Sequence, residues 1–380
     1  MTQILNQSLV NQAAEWIHSA QKIVILTHMA PDGDAMGSAL AMYHFLTDKQ
    51  SPITNHQCVT VVTPNTFPAF FNWMPGADKI AIYESAPQQC DELIAQADLF
   101  ICTDFNEPKR INPAGDKMVA NPAPKIVFDH HILVPDTPIS NPSITNNQSP
   151  IILFSVPSAS SACEVVFRFM TQITNHQSPI TNHQSPITNH QSPITNNIAT
   201  CLYTGLMTDT GNFSYNSTNC ELYEIVAELI RAGAQKDEIY NAVFNQYSVD
   251  KVRLTGYALY RKMRIYPDYH LALITLTADE LDQYHYQPGD TEGLVNEPLQ
   301  IATVHYSVFM REERAKPGTT RSRIRISFRS QGDRPVNVWA SEVFHGGGHA
   351  NASGGELLGS IAQAVKLFEQ TFPKYIKKEE

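Results

Sequence analysis

Four groups of acidic and histidine side chains each come directly after an apolar segment in the first 210 residues. The groups are His28-Met-Ala-Pro-Asp32-Gly-Asp34, Asp104, Asp129-His130-His131 and Asp209. Because the carboxyl ends of strands in an open parallel sheet share one edge, where ligands bind, we expect these side chains to converge. Carboxylates crowded at one edge repel one another unless cations lie between them. The pattern therefore predicts a cluster that holds divalent metal ions.

The ligand types indicate which cation and which chemistry. Asp and His ligands without thiolates suit Mn²⁺ or a similar divalent ion, whereas an all-oxygen set favours Mg²⁺ and thiolates favour zinc. Asp32 and Asp34 can each address a different ion, and Asp104 can bridge both. Two such ions activate water and stabilise charge on a phosphoryl group, which predicts phosphate-ester hydrolysis. Each group alone is weak evidence, and the order of all four carries the prediction.

The elements that must position these groups alternate between strands and helices. Short buried strands are predicted at Lys22–Thr27, Val59–Thr63, Leu99–Thr103 and Lys125–Phe128, and helices at Ala13–Ala20, Met36–Leu46, Ser160–Met170 and Ile198–Met207. This alternation favours an α/β fold with a parallel sheet. Later segments predict strands at His270–Leu276, Gln300–Met310 and Arg323–Arg329, then a helix at Ile361–Gln370. We predict a catalytic domain over 1–245, a helical linker over 246–264 and a smaller α/β domain over 265–375.

Composition sets the broad class of protein. Hydrophobic residues make up 42% of the 380 residues, enough for a sizeable core, which excludes global disorder. A net charge of −10 argues against coating nucleic acid by bulk charge, although not against handling phosphates through metals. The six cysteines form no C-x-x-C pair, and the chain has neither a signal peptide pattern nor an apolar run that could span a bilayer. We predict a soluble cytoplasmic protein with no membrane partner.

A heptapeptide, ITNHQSP, recurs along the chain. Three whole copies run from Ile173 to Pro193, followed by a partial copy, and related segments occur near 51–57 and 143–150. A seven-residue period resembles a coiled coil, but a proline in every unit and a single aliphatic residue per unit cannot build one. We therefore predict loop insertions near 51–57, 143–150 and 173–197. Their histidines are interpreted as solvated side chains rather than a metal site, because no acidic or thiol ligand accompanies them.

The four groups together resemble the motifs of DHH phosphoesterases. The matching residues are the His28–Ser38 segment (HMAPDGDAMGS), Asp104, the Asp129-His130-His131 triplet and Asp209–Gly211. The segment Arg323–Gly355 is similar to the DHHA1 domain, with its S-x-R-S strand and its G-G-G-H-x-x-A-S/A-G loop. Within that family the RecJ-like group of nanoRNases and pAp (3′-phosphoadenosine 5′-phosphate) phosphatases is most similar. The one departure is His345, where many relatives have Gly before the G-G-G-H run.

The resemblance implies a role for each motif residue. One Mn²⁺ would be held by His28, Asp32 and Asp104, and the other by Asp34, Asp104, His130 and Asp209, with Mg²⁺ or Co²⁺ as alternatives. His131 would face the scissile phosphate as a catalytic residue beside Asp104, and Asp129 would orient its neighbours. The substrate-binding residues would be Arg329, Ser330, Gly346, Gly347, Gly348 and His349. The active site would lie in the cleft between the two domains.

The second domain has features of its own that favour phosphate binding. Three successive glycines, Gly346 to Gly348, permit positive φ and expose backbone N–H groups as an anion-binding nest, to which His349 adds a donor. The segment Arg311–Arg334 holds eight of the 27 basic residues against three acidic ones. Either this segment is a phosphate-binding face or Arg311–Arg321 is a strand with a solvated basic side. For Arg329 we favour substrate contact.

The leading interpretation is a two-metal hydrolase. It would release nucleoside 5′-monophosphates from short oligoribonucleotides, or phosphate from pAp. A linear or cyclic dinucleotide phosphodiesterase is the alternative within the enzyme class, ahead of a pyrophosphatase or a long-strand exonuclease. A catalytically silent nucleotide-binding regulator is the alternative from another class, and a missing metal ligand would favour it. The sequence leaves open the preferred substrate, the cellular metal and whether the protein forms a homodimer.

Overall fold

The computed structural model describes residues 5–48, 57–141, 149–177, 193–315 and 321–378. The chain divides into two compact units, an N-terminal unit of residues 1–246 and a C-terminal unit of residues 247–380. The heptapeptide segments within 49–56, 142–148 and 178–192 lie outside the described residues, so the loop prediction for them stays a prediction. Across the described ranges, no helix has both the length and the apolar character that crossing a membrane requires.

A six-stranded parallel sheet forms the centre of the N-terminal unit, and it confirms the predicted fold class. Its strands are β1 (Lys22–Leu26), β2 (Cys58–Thr63), β3 (Ala81–Ile82), β4 (Leu99–Thr103), β5 (Lys125–Asp129) and β6 (Ile151–Ser155), in the order β3-β2-β1-β4-β5-β6. Every neighbouring pair is parallel. Strands β4 and β5 are buried along their whole length, which explains their continuous apolar sequences.

Helices cover both faces of this sheet. They are α1 (Gln7–Ser19), α2 (Gly33–Thr47), α3 (Pro87–Gln96), α4 (Ala114–Ala120), α5 (Ala162–Gln177), α6 (Asn196–Asp209), α7 (Cys220–Arg231) and α8 (Lys236–Phe244). Alternate residues of β1 enter two separate cores, since Ile23 and Ile25 pack into one, and Val24 and Leu26 into the other. The sheet is therefore the middle layer of a three-layer α/β unit.

Helices α2 and α6 pack at close range because glycine stands at their contact. A Cβ on Gly37 would lie 2.5 Å from the carbonyl oxygen of Cys201 on α6, and a Cβ on Gly205 would lie 2.9 Å from Oδ1 of Asp34 on α2. Neither space admits a side chain, so the two glycines allow the helices to approach. Their approach brings together the beginning of α2, which carries Asp34, and the end of α6, which carries Asp209.

The first heptapeptide copy corrects the loop prediction. Helix α5 continues through Gln177, so the first five residues of the copy, Ile173–Gln177, are helical, and the predicted loop at 173–197 is wrong there. It is also wrong at Asn196 and Asn197, with which α6 begins. The unit carries its proline only at position seven, so nothing in its first five residues stops a helix that is already formed. Ile173 supports the extension, since it packs into the core and is 3% exposed.

A mixed six-stranded sheet forms the C-terminal unit, which confirms the predicted smaller α/β domain. Its elements are α9 (Val249–Tyr257), which a π-helical turn at Ala258–Lys262 extends, β7 (Arg264–Tyr266), β8 (Leu271–Leu276), α10 (Ala278–Gln283), β9 (Tyr306–Glu313), β10 (Arg323–Ser330), α11 (Asn337–Phe344), β11 (Gly347–His349), β12 (Ala352–Leu358) and α12 (Ile361–Tyr375). The strand order is β11-β12-β10-β9-β8-β7. Among neighbouring strands, β8 and β9 form a parallel pair. The strand predicted from Gln300 begins only at Tyr306, because a 3₁₀-helix takes up Leu294–Gln300.

Aromatic packing fixes helix α11 on one face of this sheet. Phe328 of β10 contacts Trp339 and Phe344 of α11 at ring-centroid distances of 5.0 and 5.3 Å. Directly after α11, His345 adopts φ +51°, the left-handed conformation that glycine takes most easily at a helix C-terminus. A glycine before the G-G-G-H run would therefore adopt this conformation more easily than the histidine of this chain.

The helical extension of α5 predicts a stability effect inside the heptapeptide. Replacing Ile173 by Ala removes buried methyl and methylene groups and leaves a cavity, so we expect the free energy of unfolding to fall by about 2–5 kcal/mol. The measurement is urea unfolding followed by circular dichroism. The matched control is Ile230→Ala on helix α7, where the side chain is 44% exposed and a change of at most about 0.5 kcal/mol is expected. Equal effects of the two substitutions would contradict the packing of Ile173.

Candidate metal centre

The strand order reverses between β1 and β4, and the candidate centre lies at their carboxyl ends. In the register of the sheet Leu26 is opposite Cys102 and Thr103 is opposite Phe128. Two residues beyond the first pair, His28 and Asp104 therefore reach the same level above the sheet. Such a reversal opens a crevice that binds ligands in α/β proteins. The parallel register alone thus brings the first and second sequence groups together.

The first candidate ligand group is His28, Asp32 and Asp104. The Nε2 of His28 is 3.1 Å from Oδ2 of Asp104 and 3.8 Å from Oδ1 of Asp32. The Nδ1 of His28 is 2.9 Å from the backbone oxygen of Met29, which orients the ring so that Nε2 points at the carboxylates. Asp32 caps helix α2 by accepting the backbone N–H groups of Asp34 and Ala35. The three ligand atoms lie within 4.8 Å of one another.

The second candidate ligand group is Asp34, His130 and Asp209. The Nε2 of His130 is 3.8 Å from Oδ2 of Asp34 and 3.5 Å from Oδ2 of Asp209. The same nitrogen is 3.6 Å from Oδ1 of Asp104. Asp104 therefore lies between the two groups, one oxygen towards His28 and the other towards His130. Asp209 comes from the end of helix α6 rather than from a strand end.

Helix α5 holds the carboxylate of Asp34 in place. The backbone N–H groups of Ala162 and Cys163 donate to its two oxygens at 2.6 and 2.9 Å. These residues form the first turn of the helix, where free N–H groups and the helix dipole favour a negative charge. The side chain of Asp34 is 1% exposed, so this support offsets part of the cost of burying the carboxylate.

The electrostatics of the cluster indicate a deficit of positive charge. Burial and the neighbouring charge of Asp104 raise the pKa of Asp34 to about 7, and burial and the charge of Asp34 raise the pKa of Asp209 well above its usual range. Burial lowers the pKa of His130, but the nearby carboxylates, first Asp104, outweigh it and raise the value to about 10. Bound protons therefore supply the positive charge that the crowded carboxylates require. Divalent cations would supply the same charge.

The cluster also fits divalent metals by its ligand atoms. The Oδ1 of Asp104 is buried and has no hydrogen-bond donor among the described residues. A buried carboxylate oxygen without a hydrogen bond is costly unless a cation binds it. Both groups combine imidazole nitrogens with carboxylate oxygens and contain no thiolate, a set that suits Mn²⁺ or a similar divalent ion. The structure therefore brings together all six side chains that the sequence predicted as ligands.

His131 lies beside the cluster and is held by Asp129. Its Nδ1 is 2.8 Å from Oδ1 of Asp129, and its backbone N–H donates to Oδ2 of the same residue. Nδ1 of His131 is also 3.5 Å from Oδ1 of Asp104. Asp129 is fully buried at the end of β5, so it fixes the imidazole at the rim of the carboxylate cluster.

Two polar residues after β4 were missed by the sequence reasoning. The buried Asn106 donates through Nδ2 to Oδ2 of Asp129 at 2.6 Å, and Nη1 of Arg110 is 3.2 Å from Nε2 of His131. Both residues follow Asp104 within six positions, in a short segment that ends in a 3₁₀-helix at Pro108–Ile111. Their place directly after a predicted strand-end ligand was the signal that could have identified them.

In the C-terminal unit, Arg329 and His349 lie on one row across three strands. Arg329 of β10 is opposite Ala352 of β12, which is in turn opposite His349 of β11. Directly opposed residues of antiparallel strands point to the same face, so the two side chains stand two strands apart, roughly 10 Å, with a small residue between them. Ser330 belongs to the opposite set of β10 residues, and its hydroxyl donates to the backbone oxygen of Arg334.

The glycine run differs from the predicted loop. Gly347–His349 forms the short strand β11, paired with β12, and of the three glycines Gly348 alone has a positive φ, +137°. Gly346 is required for a different reason, since a Cβ there would lie 1.8 Å from the backbone oxygen of Gly354. Of the three predicted positive-φ glycines, Gly348 alone is confirmed, and Gly346 instead permits close strand packing.

Carboxylates neutralise much of the basic segment. Arg323 and Arg325 both contact Glu356, and Arg325 and Arg311 both contact Glu313. Arg314 pairs with Asp279 and Asp282 outside the strands. For Arg311, Arg314, Arg323 and Arg325 these contacts favour a solvated basic side over a phosphate-binding face.

Comparisons with known proteins agree with this arrangement. The family model for the N-terminal domain of the DHH family matches residues 22–206, and the model for the DHHA1 domain matches residues 272–377. An exopolyphosphatase-related protein of solved structure from Bacteroides fragilis is 41% identical, with a TM-score of 0.84, over 99% of this chain and 98% of that chain.

Two further proteins are more distant. The bifunctional oligoribonuclease and PAP phosphatase NrnA of Bacillus subtilis is 23% identical over 337 residues, which are 88% of this chain and 89% of that protein. RecJ from Thermus thermophilus, solved in complex with Mn²⁺, is 12% identical with a TM-score of 0.51 over 97% of this chain and 54% of RecJ, a likeness of fold. Together the two family models match most of the chain, and the first ends before Asp209. The chain therefore belongs to the DHH phosphoesterases, with a DHH domain followed by a DHHA1 domain.

Proposed function

We propose that this protein is a metal-dependent hydrolase that cleaves short oligoribonucleotides to nucleoside 5′-monophosphates and pAp to AMP and phosphate. The observation that carries the proposal is the pair of candidate ligand groups joined by Asp104, with His131 at their rim. The B. subtilis relative named for both activities supports the substrate class, because its likeness extends over both domains. We also propose a cytoplasmic location, in keeping with the six free cysteines.

In this proposal the two ligand groups hold two divalent ions. His28, Asp32 and Asp104 would hold one, and Asp34, Asp104, His130 and Asp209 the other, with Mn²⁺ the preferred ion. When bound, the two ions supply a water of lowered pKa and positive charge next to the phosphoryl group. The role of Asp104 is to offset the charge of both ions with one carboxylate. The role of helix α5 is to keep Asp34 oriented for them.

His131 and Asp129 act on the phosphate side of the site. Asp129 accepts from Nδ1 of His131 and keeps the imidazole plane fixed, so its Nε2 can address an oxygen of the scissile phosphate. Charge that develops on that oxygen in the transition state would be stabilised by this imidazole when its Nε2 carries a proton. Asn106 supports this arrangement from behind by donating to Asp129.

The DHHA1 domain would bind the nucleotide through Arg329 and His349. Their common face and their spacing of roughly 10 Å leave room for a phosphate or a sugar above Ala352. A guanidinium and an imidazole on one face are suited to phosphate oxygens. Ser330 is assigned to the turn at Arg334 rather than to the substrate.

A substrate panel tests the proposal and its alternatives. Purified protein with Mn²⁺ is assayed against pAp, di- to pentaribonucleotides, cyclic and linear dinucleotides, pyrophosphate and inorganic polyphosphate. The proposal expects turnover of pAp and of the short oligoribonucleotides, and preference for a cyclic dinucleotide or for polyphosphate would contradict it. Polyphosphate is included because the B. fragilis protein is described as exopolyphosphatase-related. No turnover of any substrate would favour the regulator.

Replacing Asp104 by Asn should nearly abolish hydrolysis while the fold survives. Asn tolerates the left-handed backbone of this position, φ +64°, so the change removes a charge with little backbone strain. A neutral amide can no longer offset two dications. We expect a loss of at least about a thousandfold in kcat, on the scale of a lost transition-state interaction. A kcat within tenfold of wild type, at saturating Mn²⁺ and an equal melting temperature, would show that Asp104 does not join the two groups.

Replacing Arg329 by Ala should weaken nucleotide binding without removing metal. A charge-assisted contact to phosphate is worth about 1.5–3 kcal/mol, or roughly ten- to a hundredfold in kcat/KM. The measurement is kcat/KM on pAp and on a diribonucleotide, together with metal content. Arg323→Ala is the control, since Arg323 lies on the same strand and face but pairs with Glu356, roughly 20 Å along β10. Loss of metal from the Arg329 variant, or equal kcat/KM for both variants, would contradict this role.

A further inference from the structure

Two arginines of this structure that are shielded from solvent, Arg168 and Arg311, are paired with carboxylates, and Arg110 differs from both. Arg168 binds Glu164 and Glu221 at 2.6 and 2.9 Å, and Arg311 binds Glu313 at 2.8 Å. Arg110 is half-buried, but it has no carboxylate within 4.0 Å among the described residues. A guanidinium keeps its charge at any ordinary pH, so a half-buried one without an anion is costly.

The hydrogen bonds of Arg110 use one edge of its guanidinium. Nη1 contacts Nε2 of His131 at 3.2 Å and the backbone oxygen of Asp104 at 3.5 Å. Within the described ranges, Nη2 and Nε have no hydrogen-bond partner. A guanidinium carries five N–H donors in a rigid fork that matches two oxygens of a phosphate. The N–H groups on Nη2 and Nε are therefore the donors that an oxyanion would contact.

The backbone around Arg110 ties it to the candidate metal centre. Its carbonyl oxygen accepts the N–H of Met29, the residue after the candidate ligand His28. The 3₁₀-helix Pro108–Ile111 directs the side chain towards His131, which lies at the end of the neighbouring strand β5. The backbone of Arg110 is therefore bound to the segment after β1, and its guanidinium to the segment after β5. The side chain already lies where a ligand of the centre would bind.

We propose that Arg110 binds the scissile phosphate of the substrate, as a cation that the DHH domain itself contributes. The proposal rests on the proposed function and adds a specific contact to it. One phosphate oxygen accepts from Nη2 or Nε of Arg110, while Nη1 keeps the backbone oxygen of Asp104 and releases Nε2 of His131 to the phosphate. Arg110 thereby places a fixed positive charge on the side of the phosphate where His131 stands.

The experiment compares Arg110→Gln with Lys109→Gln, adjacent substitutions that remove the same charge. Lys109 is 84% exposed and 3.9 Å from Glu107, so its loss should change neither binding nor turnover. Gln keeps an N–H donor for His131, which separates the loss of charge from the loss of that contact. The probe is inorganic phosphate, titrated calorimetrically into the full chain with saturating Mg²⁺, and kcat/KM on pAp is measured with Mn²⁺. Metal content and melting temperature are recorded for every variant.

We expect Arg110→Gln to raise the Kd for inorganic phosphate about ten- to a hundredfold and to lower kcat/KM by a similar factor, with metal content unchanged. Arg110→Lys, which keeps the charge but loses the fork, should fall between Gln and wild type. A phosphate Kd within twofold of wild type for Arg110→Gln would overturn the proposal, as would a loss of metal that accounts for the weaker binding.

The outcome is separable from that of the proposed function. If wild-type protein turns over neither pAp nor oligoribonucleotides, the proposed function fails, and the phosphate titration still decides the role of Arg110. If wild type is active and the phosphate titration shows no difference between Arg110→Gln and Lys109→Gln, the contact of Arg110 fails alone.

Discussion

Repulsion among buried carboxylates is the constraint on which the N-terminal unit depends. Asp34 and Asp104 are almost fully buried in the same cluster as Asp32 and Asp209, an arrangement that costs free energy unless positive charge offsets it. The remainder of the unit holds these groups together against that repulsion. The sheet register fixes His28 and Asp104, and the close packing of α2 on α6 brings Asp34 to Asp209.

A second layer of contacts keeps the site rigid. Helix α5 supplies backbone donors to Asp34, Asn106 holds Asp129, and Asp129 holds His131. Each of these hydrogen bonds fixes the orientation of one side chain, so the ligands are in position before an ion binds. The C-terminal unit has no such layer in this account, because strand pairing alone places Arg329 and His349 on one face of the sheet.

The sequence predicted those parts of the site that depend on local pattern. Strand ends followed by Asp or His identified the ligands at β1, β4 and β5, because the geometry of a parallel sheet leaves their side chains no other common edge. It also predicted that Asp209 converges with the other groups, but not that Asp209 meets Asp34 through glycine contacts between two helices, since glycine-mediated packing has no periodic signal. The resemblance to a family implied that the two residues share one metal ion.

The failures have physical causes as well. The glycine run was interpreted from the conformational freedom of glycine, but Gly346 is needed for a close approach to Gly354, which depends on the pairing of β11 with β12 that the sequence analysis did not predict. The first five heptapeptide residues were predicted as a loop because the repeat contains proline, although its proline stands only at the seventh position and the helix ends before it. Arg110 was missed because an arginine on a 3₁₀-helix is informative only once its missing carboxylate partner is known.

The central claim is that one carboxylate cluster holds two cations, and Mn²⁺ titration tests it most directly. Chelator-treated full-length protein is titrated with Mn²⁺ by calorimetry, and the bound metal is counted independently by elemental analysis after gel filtration. The account predicts two Mn²⁺ per chain and a release of protons on binding, because the ions replace the protons that Asp34 and His130 carry in the metal-free cluster. Binding of a single ion, or of none, would contradict it.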